Sequence, residues 1–220
     1  MWTFGFEWLS STLFPSQCLG CQLLGAGYLC PECRAELKGR TEMVGGVPLL
    51  TMGCYDGVLR SVLMAVKSRG HRAAGRELAR HGVERWLAQR DRLPAQARIH
   101  AVRASRAGQK LRGFSLPRML ADELHHQSGW PLLEASLADW FPLDSNRSRG
   151  LGVEERWTRR QARAVPEELR RVCRGALVLV DDVVTTGATM TATVSVAREL
   201  GFSPIVCLAL ATAPVSLGES

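Results

Sequence analysis

Lysine is scarce in this chain: Lys38, Lys67 and Lys110 are the only ones among 28 basic residues, and the rest are arginine. No basic residue precedes Arg34, so residues 1–14, largely apolar and carrying Glu7, lack the positively charged start of a secretory signal. Long hydrophobic runs are missing too. The longest, residues 176–180 and 205–211, fall far short of the roughly 20 apolar residues of a membrane-spanning helix. Aromatic side chains make up 6% of the chain, and only Trp86 and Phe114 interleave its basic stretch, which gives little support to a base-stacking platform for single strands. No repeat of about 20–50 residues recurs, which excludes solenoids and propellers. These absences point to a soluble, cytoplasmic protein with no membrane insertion.

What is present is a globular composition: 220 residues, 46% hydrophobic and 22% charged. At about 150 residues per domain, that length allows one full domain and a small appendage, and such a chain removes roughly 70% of its unfolded surface from water. Charge is unevenly distributed. From Arg60 to Arg118 there are thirteen arginines, Lys67 and Lys110 against Glu77, Glu84 and Asp91, a net +12 in a chain whose total is +7. Such a segment attracts anions; a solvated arginine-rich surface is the plainer explanation.

Seven cysteines in a cytoplasmic chain favour metal binding or buried thiols over disulfides. Cys18-x-x-Cys21 is followed, after eight intervening residues, by Cys30-x-x-Cys33. Each pair can turn tightly enough to bring two thiolates to one tetrahedral ion, and four thiolates without histidine describe a closed structural zinc site. Such a site supplies on the order of 10 kcal/mol of folding energy to a segment too short for its own core. A redox C-x-x-C pair is the alternative, disfavoured because neither pair opens a βαβ unit. Cys54, Cys173 and Cys207 sit in or beside apolar stretches and read as inert core thiols, and His125 and His126 as helix surface.

This divides the chain into a zinc-knuckle segment, residues 1–48, and an α/β domain, residues 49–220. After a glycine-containing connector, residues 39–48, the pattern predicts a strand at 49–55 and a helix at 58–67 capped by Asp56. A helix over 75–90 follows, with Leu78, Trp86 and Leu87 inward, then a strand at 99–102 and a helix at 116–127. Residues 129–151 show no sustained period. The apolar run 176–180 reads as a parallel strand buried on both faces. Residues 181–187 form a turn, and 188–200 a helix with Met190, Val194, Ala197 and Leu200 inward, ended by Gly201. With a strand at 205–210 this makes a βαβ unit, which places a ligand at the carboxyl end of strand 176–180.

That strand end reads Asp181-Asp182-Val183-Val184-Thr185-Thr186-Gly187-Ala188-Thr189. A small-residue loop opening into a helix presents unpaired N–H groups and the positive end of the helix dipole, which suit a phosphate. Thr185, Thr186 and Thr189 add hydroxyl donors, and Gly187 and Ala188 keep the approach open. Two carboxylates beside a phosphate cradle make chemical sense if they accept hydrogen bonds from neutral hydroxyls, as the vicinal diol of a ribose provides, while favouring hydrated magnesium nearby. The run therefore suits a ribose 5-phosphate. An N-capping aspartate with a threonine-rich helix start explains one carboxylate and one threonine, not the whole run.

The run 178–189 resembles the phosphoribosyl-pyrophosphate (PRPP) loop of type I phosphoribosyltransferases. The four-cysteine knuckle, Tyr55-Asp56-Gly57 leading to Lys67, Arg112-Gly113-Phe114 before a helix, and Gln161 in an arginine-rich stretch are together similar to the ComF/GntX family. The resemblance spans about residues 10–212. It implies a type I phosphoribosyltransferase-like, mostly parallel sheet flanked by helices, behind a zinc knuckle, in proteins associated with natural competence and DNA utilisation. Carried over residue by residue, it implies zinc on Cys18, Cys21, Cys30 and Cys33, ribose hydroxyls on Asp181 and Asp182, and a 5-phosphate on Thr185, Thr186, Gly187, Ala188 and Thr189. Arg103 and Arg106 stand where the family binds diphosphate, without the flanking prolines. Lys110 or Arg112, from the loop before Gly113, would neutralise a leaving diphosphate. The family's Arg-Gly-Phe-Asn-Gln is here Arg112-Gly113-Phe114-Ser115-Leu116, and the segment before the phosphate-loop strand is shortened around residues 170–175.

Two functions follow as expectations. The first is a magnesium-dependent phosphoribosyltransferase acting through an oxocarbenium-like centre at ribose C1. Thr185 stands where purine-salvage enzymes carry a basic aspartate, which disfavours 6-oxopurine acceptors. The second is a non-catalytic DNA-uptake accessory that binds PRPP or a nucleotide and meets single-stranded DNA or a helicase-type partner through its arginine-rich face.

Overall fold

The computed structural model describes residues 16–102, 113–133 and 174–213. Arg103, Arg106, Lys110, Arg112, Gln161 and Cys173 lie outside the described residues, as does the stretch 134–151.

Five strands form one sheet: β1 (Arg40–Val44), β2 (Val47–Cys54), β3 (Arg98–Ala101), β4 (Gly175–Val184) and β5 (Phe202–Thr212). Their spatial order is β1-β2-β5-β4-β3. The β2–β5, β5–β4 and β4–β3 pairs are parallel, and β1 alone runs antiparallel to its neighbour. The expected α/β class with a mostly parallel sheet is therefore present. The described helices are α1 (Pro31–Glu36), α2 (Gly57–Arg69), α3 (Arg72–Leu87), α4 (Leu116–Ser128) and α5 (Ala188–Glu199). None of them is long and apolar enough to cross a membrane.

Side-chain alternation along the central strands builds two cores. Val178, Val180, Val206, Leu208 and Leu210 enter the core shared with α2, α3 and α4. Leu177, Leu179, Ile205, Cys207 and Ala209 enter the core shared with Met190, Val194 and Ala197 of α5. A strand apolar at every position is the sequence consequence of helices on both faces. In α3, Leu78 and Trp86 are buried and Leu87 half-buried, as their helical spacing predicts.

Several boundaries differ from the sequence reading. The connector 39–48 contains β1 and the start of β2, joined by a Gly45-Gly46 turn with φ of +57° and +72°. A two-residue turn with positive φ matches the twist of a hairpin, so the glycines there close a hairpin rather than loosen a spacer. Only Val44 of β1 is buried, which explains why this polar edge strand carries no alternating signal. Helix α3 begins at Arg72 and gives way to a 3-10 turn, Arg90–Arg92, before Pro94. Asp56 stands at the N-cap of α2 but makes no side-chain capping bond. Cys54 is only half-buried, with the Arg40 guanidinium 2.6 Å from its sulfur, whereas Cys207 is fully buried as expected. His125 and His126 are exposed.

Candidate functional site

The cysteine knuckle packs on the sheet domain. Cys18, Leu29, Cys30, Cys33 and Leu37 belong to the same apolar core as α2, α3 and β2. Glu77 of α3 accepts the N–H groups of Tyr28 (3.2 Å) and Leu29 (2.9 Å), fixing the approach to Cys30. Arg34 of α1 lies 3.2 Å from His81 Nδ1, which is 3.1 Å from Glu84. Neither Glu77 nor His81 stood out in the sequence, because nothing local distinguishes them from other polar positions on an arginine-rich helix.

The sulfurs of Cys18, Cys21, Cys30 and Cys33 all lie within 4.8 Å of one another, and all four thiols are free. A tetrahedral zinc with about 2.3 Å bonds sets its sulfurs about 3.8 Å apart, and Cys21 Sγ and Cys30 Sγ are 3.5 Å apart here. Backbone N–H groups point at two of the sulfurs. The Cys30 N–H points at Cys18 Sγ (3.4 Å) and the Cys33 N–H at Cys30 Sγ (3.4 Å). At Cys18, burial acts to raise the thiol pKa, but the N–H groups of Cys30, Cys21 and Gly20 outweigh it and bring it to about 6. Burial and the neighbouring sulfurs push Cys33 up instead, a competition for charge that a cation relieves. A Cβ at Gly20 would sit 2.9 Å from Cys33 Sγ, so this position needs a residue without a side chain to let the two halves close. The donor set and its spacing fit one metal ion.

The second constellation sits at the carboxyl end of β4. Asp181 and Asp182 lie in the strand itself, which continues to Val184, so the turn is confined to residues 185–187. The strand outlasts its apolar run because β5 pairs with it as far as Val184↔Thr212. Adjacent residues of a strand face opposite ways, and the two carboxylates have different surroundings. Asp182 is buried and accepts a 2.8 Å hydrogen bond from Lys67 Nζ. Asp181 is half-buried, and its Oδ1 accepts the Asp182 N–H at 2.7 Å. Burial first, and the Asp182 charge second, push the Asp181 carboxyl up to about 7, although that N–H and Lys67 oppose the rise. Burial, aided by Asp181, also raises the Cys207 thiol to about 12.

Lys67 is the site residue whose position sequence reasoning missed. Helix α2 leaves the end of β2 and delivers its last turn to β4, two strands away across β5. The one available signal is compositional, since a lysine among 25 arginines is conspicuous.

Beyond the diacid, Thr185, Thr186, Ala188 and Thr189 are exposed. Gly187 is the N-cap of α5 with φ of +72°, and a side chain there would press on Val44 at 3.1 Å. No side chain caps the first turn of α5, apart from a 3.4 Å contact of the Ala188 N–H with Thr186 Oγ1. The uncapped start of α5 and three exposed threonines thus follow one another along the chain at the solvent-facing end of β4.

A stability prediction follows from Asp181. Its carboxyl keeps a proton up to about pH 7 in the fold but only to about 3.9 when unfolded. Between those values the folded state binds more protons, so stability falls as pH rises from about 4 to 7. Asp181→Asn is expected to stabilise the protein by about 1–3 kcal/mol at pH 8, discounted for partial solvent exposure, and by little at pH 4. Urea unfolding at both values checks this; an effect independent of pH counts against it.

No model of a known protein family matches the chain, and no curated protein matches it.

Proposed function

We propose that this protein binds a ribose 5-phosphate-containing ligand, PRPP or a nucleotide, at the carboxyl end of β4, as a phosphoribosyltransferase-like protein of the ComF/GntX type with a structural zinc in its knuckle. The observation that carries the reading is the succession of two carboxylates, an exposed threonine-glycine loop and an uncapped helix start within Asp181 to Thr189. A 5-phosphate accepts hydrogen bonds from the N–H groups opening α5 and from the threonine hydroxyls. The ribose hydroxyls donate to the Asp181 and Asp182 carboxylates.

The objection that a diacid repels phosphate weakens here. Lys67 offsets Asp182, and the Asp181 carboxyl, pushed up to about 7, carries less charge near neutral pH than a free carboxylate. Magnesium, when bound, would be held near Asp181 and Asp182 and would supply positive charge to offset that of the leaving diphosphate. Lys110, Arg112, Arg103 and Arg106 remain the residues proposed to meet the diphosphate from outside the described residues. If transfer occurs, Thr185 leaves the site without a general base for a purine.

Calorimetric titration of PRPP with magnesium into the zinc-loaded protein tests this. Micromolar binding is expected, and the Asp181→Ala/Asp182→Ala variant should lose it. Absence of binding to the wild type counts against the reading.

A second reading, single-stranded DNA binding, is favoured by one observation. Arg72, Arg76 and Arg80 form an exposed i, i+4 row on α3, continued by exposed Arg69, with no ion pair among the described residues. Four phosphate contacts predict a log–log salt slope of about −3 for an oligothymidylate. Arg72→Glu/Arg76→Glu/Arg80→Glu should abolish binding, and a wild type that ignores the oligonucleotide at low salt excludes this reading.

A further inference from the structure

We infer that Lys67 is a ligand-binding residue of the β4 site: held by Asp182, its ammonium presents its remaining donors to the diphosphate of the ligand. This rests on the phosphoribosyl reading and deepens it by adding, from within the described residues, a contact to the diphosphate that the threonine loop does not reach.

An ammonium carries three N–H donors, and Lys67 Nζ uses one on Asp182 Oδ1 at 2.8 Å, with no other partner among the described residues. Its side chain is 24% exposed, against 12% for Asp182. The cation therefore forms the open side of the pair, and its other two donors have solvent to point into. The position follows from topology. Helix α2 leaves the end of β2 and brings its last turn to the carboxyl end of β4, where the ligand is proposed, and its buried residues Leu59, Val62, Leu63 and Val66 anchor it.

The threonine loop accounts for one phosphate only. A PRPP ligand carries a second anionic group on the other side of its ribose, beyond the hydroxyls that face the diacid. Among the described residues, Lys67 is the cation whose charge reaches both carboxylates. A purely structural role would neutralise buried Asp182 and nothing more. The two roles differ in one measurable respect: a binding role depends on whether the ligand carries the diphosphate.

The test is titration of PRPP with magnesium, and separately of ribose 5-phosphate, into the full zinc-loaded chain as wild type, Lys67→Gln and Lys67→Arg. Lys67→Gln keeps a donor for Asp182 but removes the charge. Expected is a loss of about 10- to 100-fold for PRPP, the size of a lost charge-assisted hydrogen bond. Ribose 5-phosphate should change by less than about threefold, and Lys67→Arg should restore most PRPP affinity. An equal loss for both ligands, or unchanged PRPP affinity, overturns the inference. Wild type that binds the two ligands equally overturns it while leaving the phosphoribosyl reading in place; wild type that binds neither removes both.

Should Lys67→Gln not fold, the wild type itself decides. With only three lysines in the chain, Nζ-labelled lysine gives a spectrum that can be assigned. The Lys67 signal should move with PRPP and stay with ribose 5-phosphate; the same movement with both contradicts the assignment.

Discussion

Stripping zinc from the loaded protein with a strong chelator is expected to lower its stability by about 5–10 kcal/mol and its melting temperature by at least about 10 °C. The reason is the distribution of apolar surface. Residues 17–37 contain one six-residue helix and two β-bridge residues, Gln17 and Leu24, too little structure to hold without a cross-link. Yet Leu29, Cys30, Cys33 and Leu37 are part of the main core against α2 and α3. Once the four sulfurs lose a shared cation they take up protons, nothing cross-links the two C-x-x-C turns, and the knuckle opens. Opening it exposes the outer side of α2, so the loss spreads beyond the knuckle. Cys33→Ser should behave like the stripped protein, since Cys33 is buried and its sulfur faces the other three. Zinc content by elemental analysis and scanning calorimetry with and without chelator check this. One zinc per chain is expected; a zinc-free protein with the same melting curve rejects the structural-metal reading.

Asp182→Ala is expected to destabilise the fold by about 2–4 kcal/mol. The removed carboxylate is buried and bonded to Lys67 at 2.8 Å. Deleting one member of such a pair leaves the other short of its partner in a poorly solvated place. Lys67 is partly exposed, which lets water recover some of the loss and keeps the figure below that of a fully buried pair. The double variant Lys67→Met/Asp182→Ala leaves no stranded charge and should regain about half of the loss or more. Urea unfolding of the two single variants and the double variant gives the coupling directly. A single variant within about 0.5 kcal/mol of the wild type would show that the pair holds α2 to β4 only weakly.

These two predictions draw on different kinds of information. The first was readable from the sequence, because C-x-x-C spacing is local: two residues between cysteines put both sulfurs on one turn whatever surrounds them. What spacing does not carry is the role of Glu77, which lies 48 residues from Leu29, whose N–H it accepts. The second prediction was not readable at all. Asp182 and Lys67 are separated by 115 positions, and no periodicity links a helix end to a strand two places away in the sheet.

The parallel strands announced themselves for a related reason. Burial on both faces demands an apolar residue at every position, and 176–180 and 205–210 obey this. Strand β1 did not, because an edge strand with one buried residue satisfies its backbone without an apolar pattern. The extent of β4 was also hidden. Aspartates ordinarily mark the end of a strand, but pairing with β5 holds Asp181 and Asp182 extended.

The α/β class, the cysteine quartet and the acidic, threonine-rich strand end were legible in the sequence, since each is carried by a continuous local stretch of chain. Packing alone settled which carboxylate meets the lysine and which has its pKa pushed up by burial. It also decided how the knuckle seats on α3. Those properties depend on burial and on charges brought together from distant segments, and both exist only once the chain has packed.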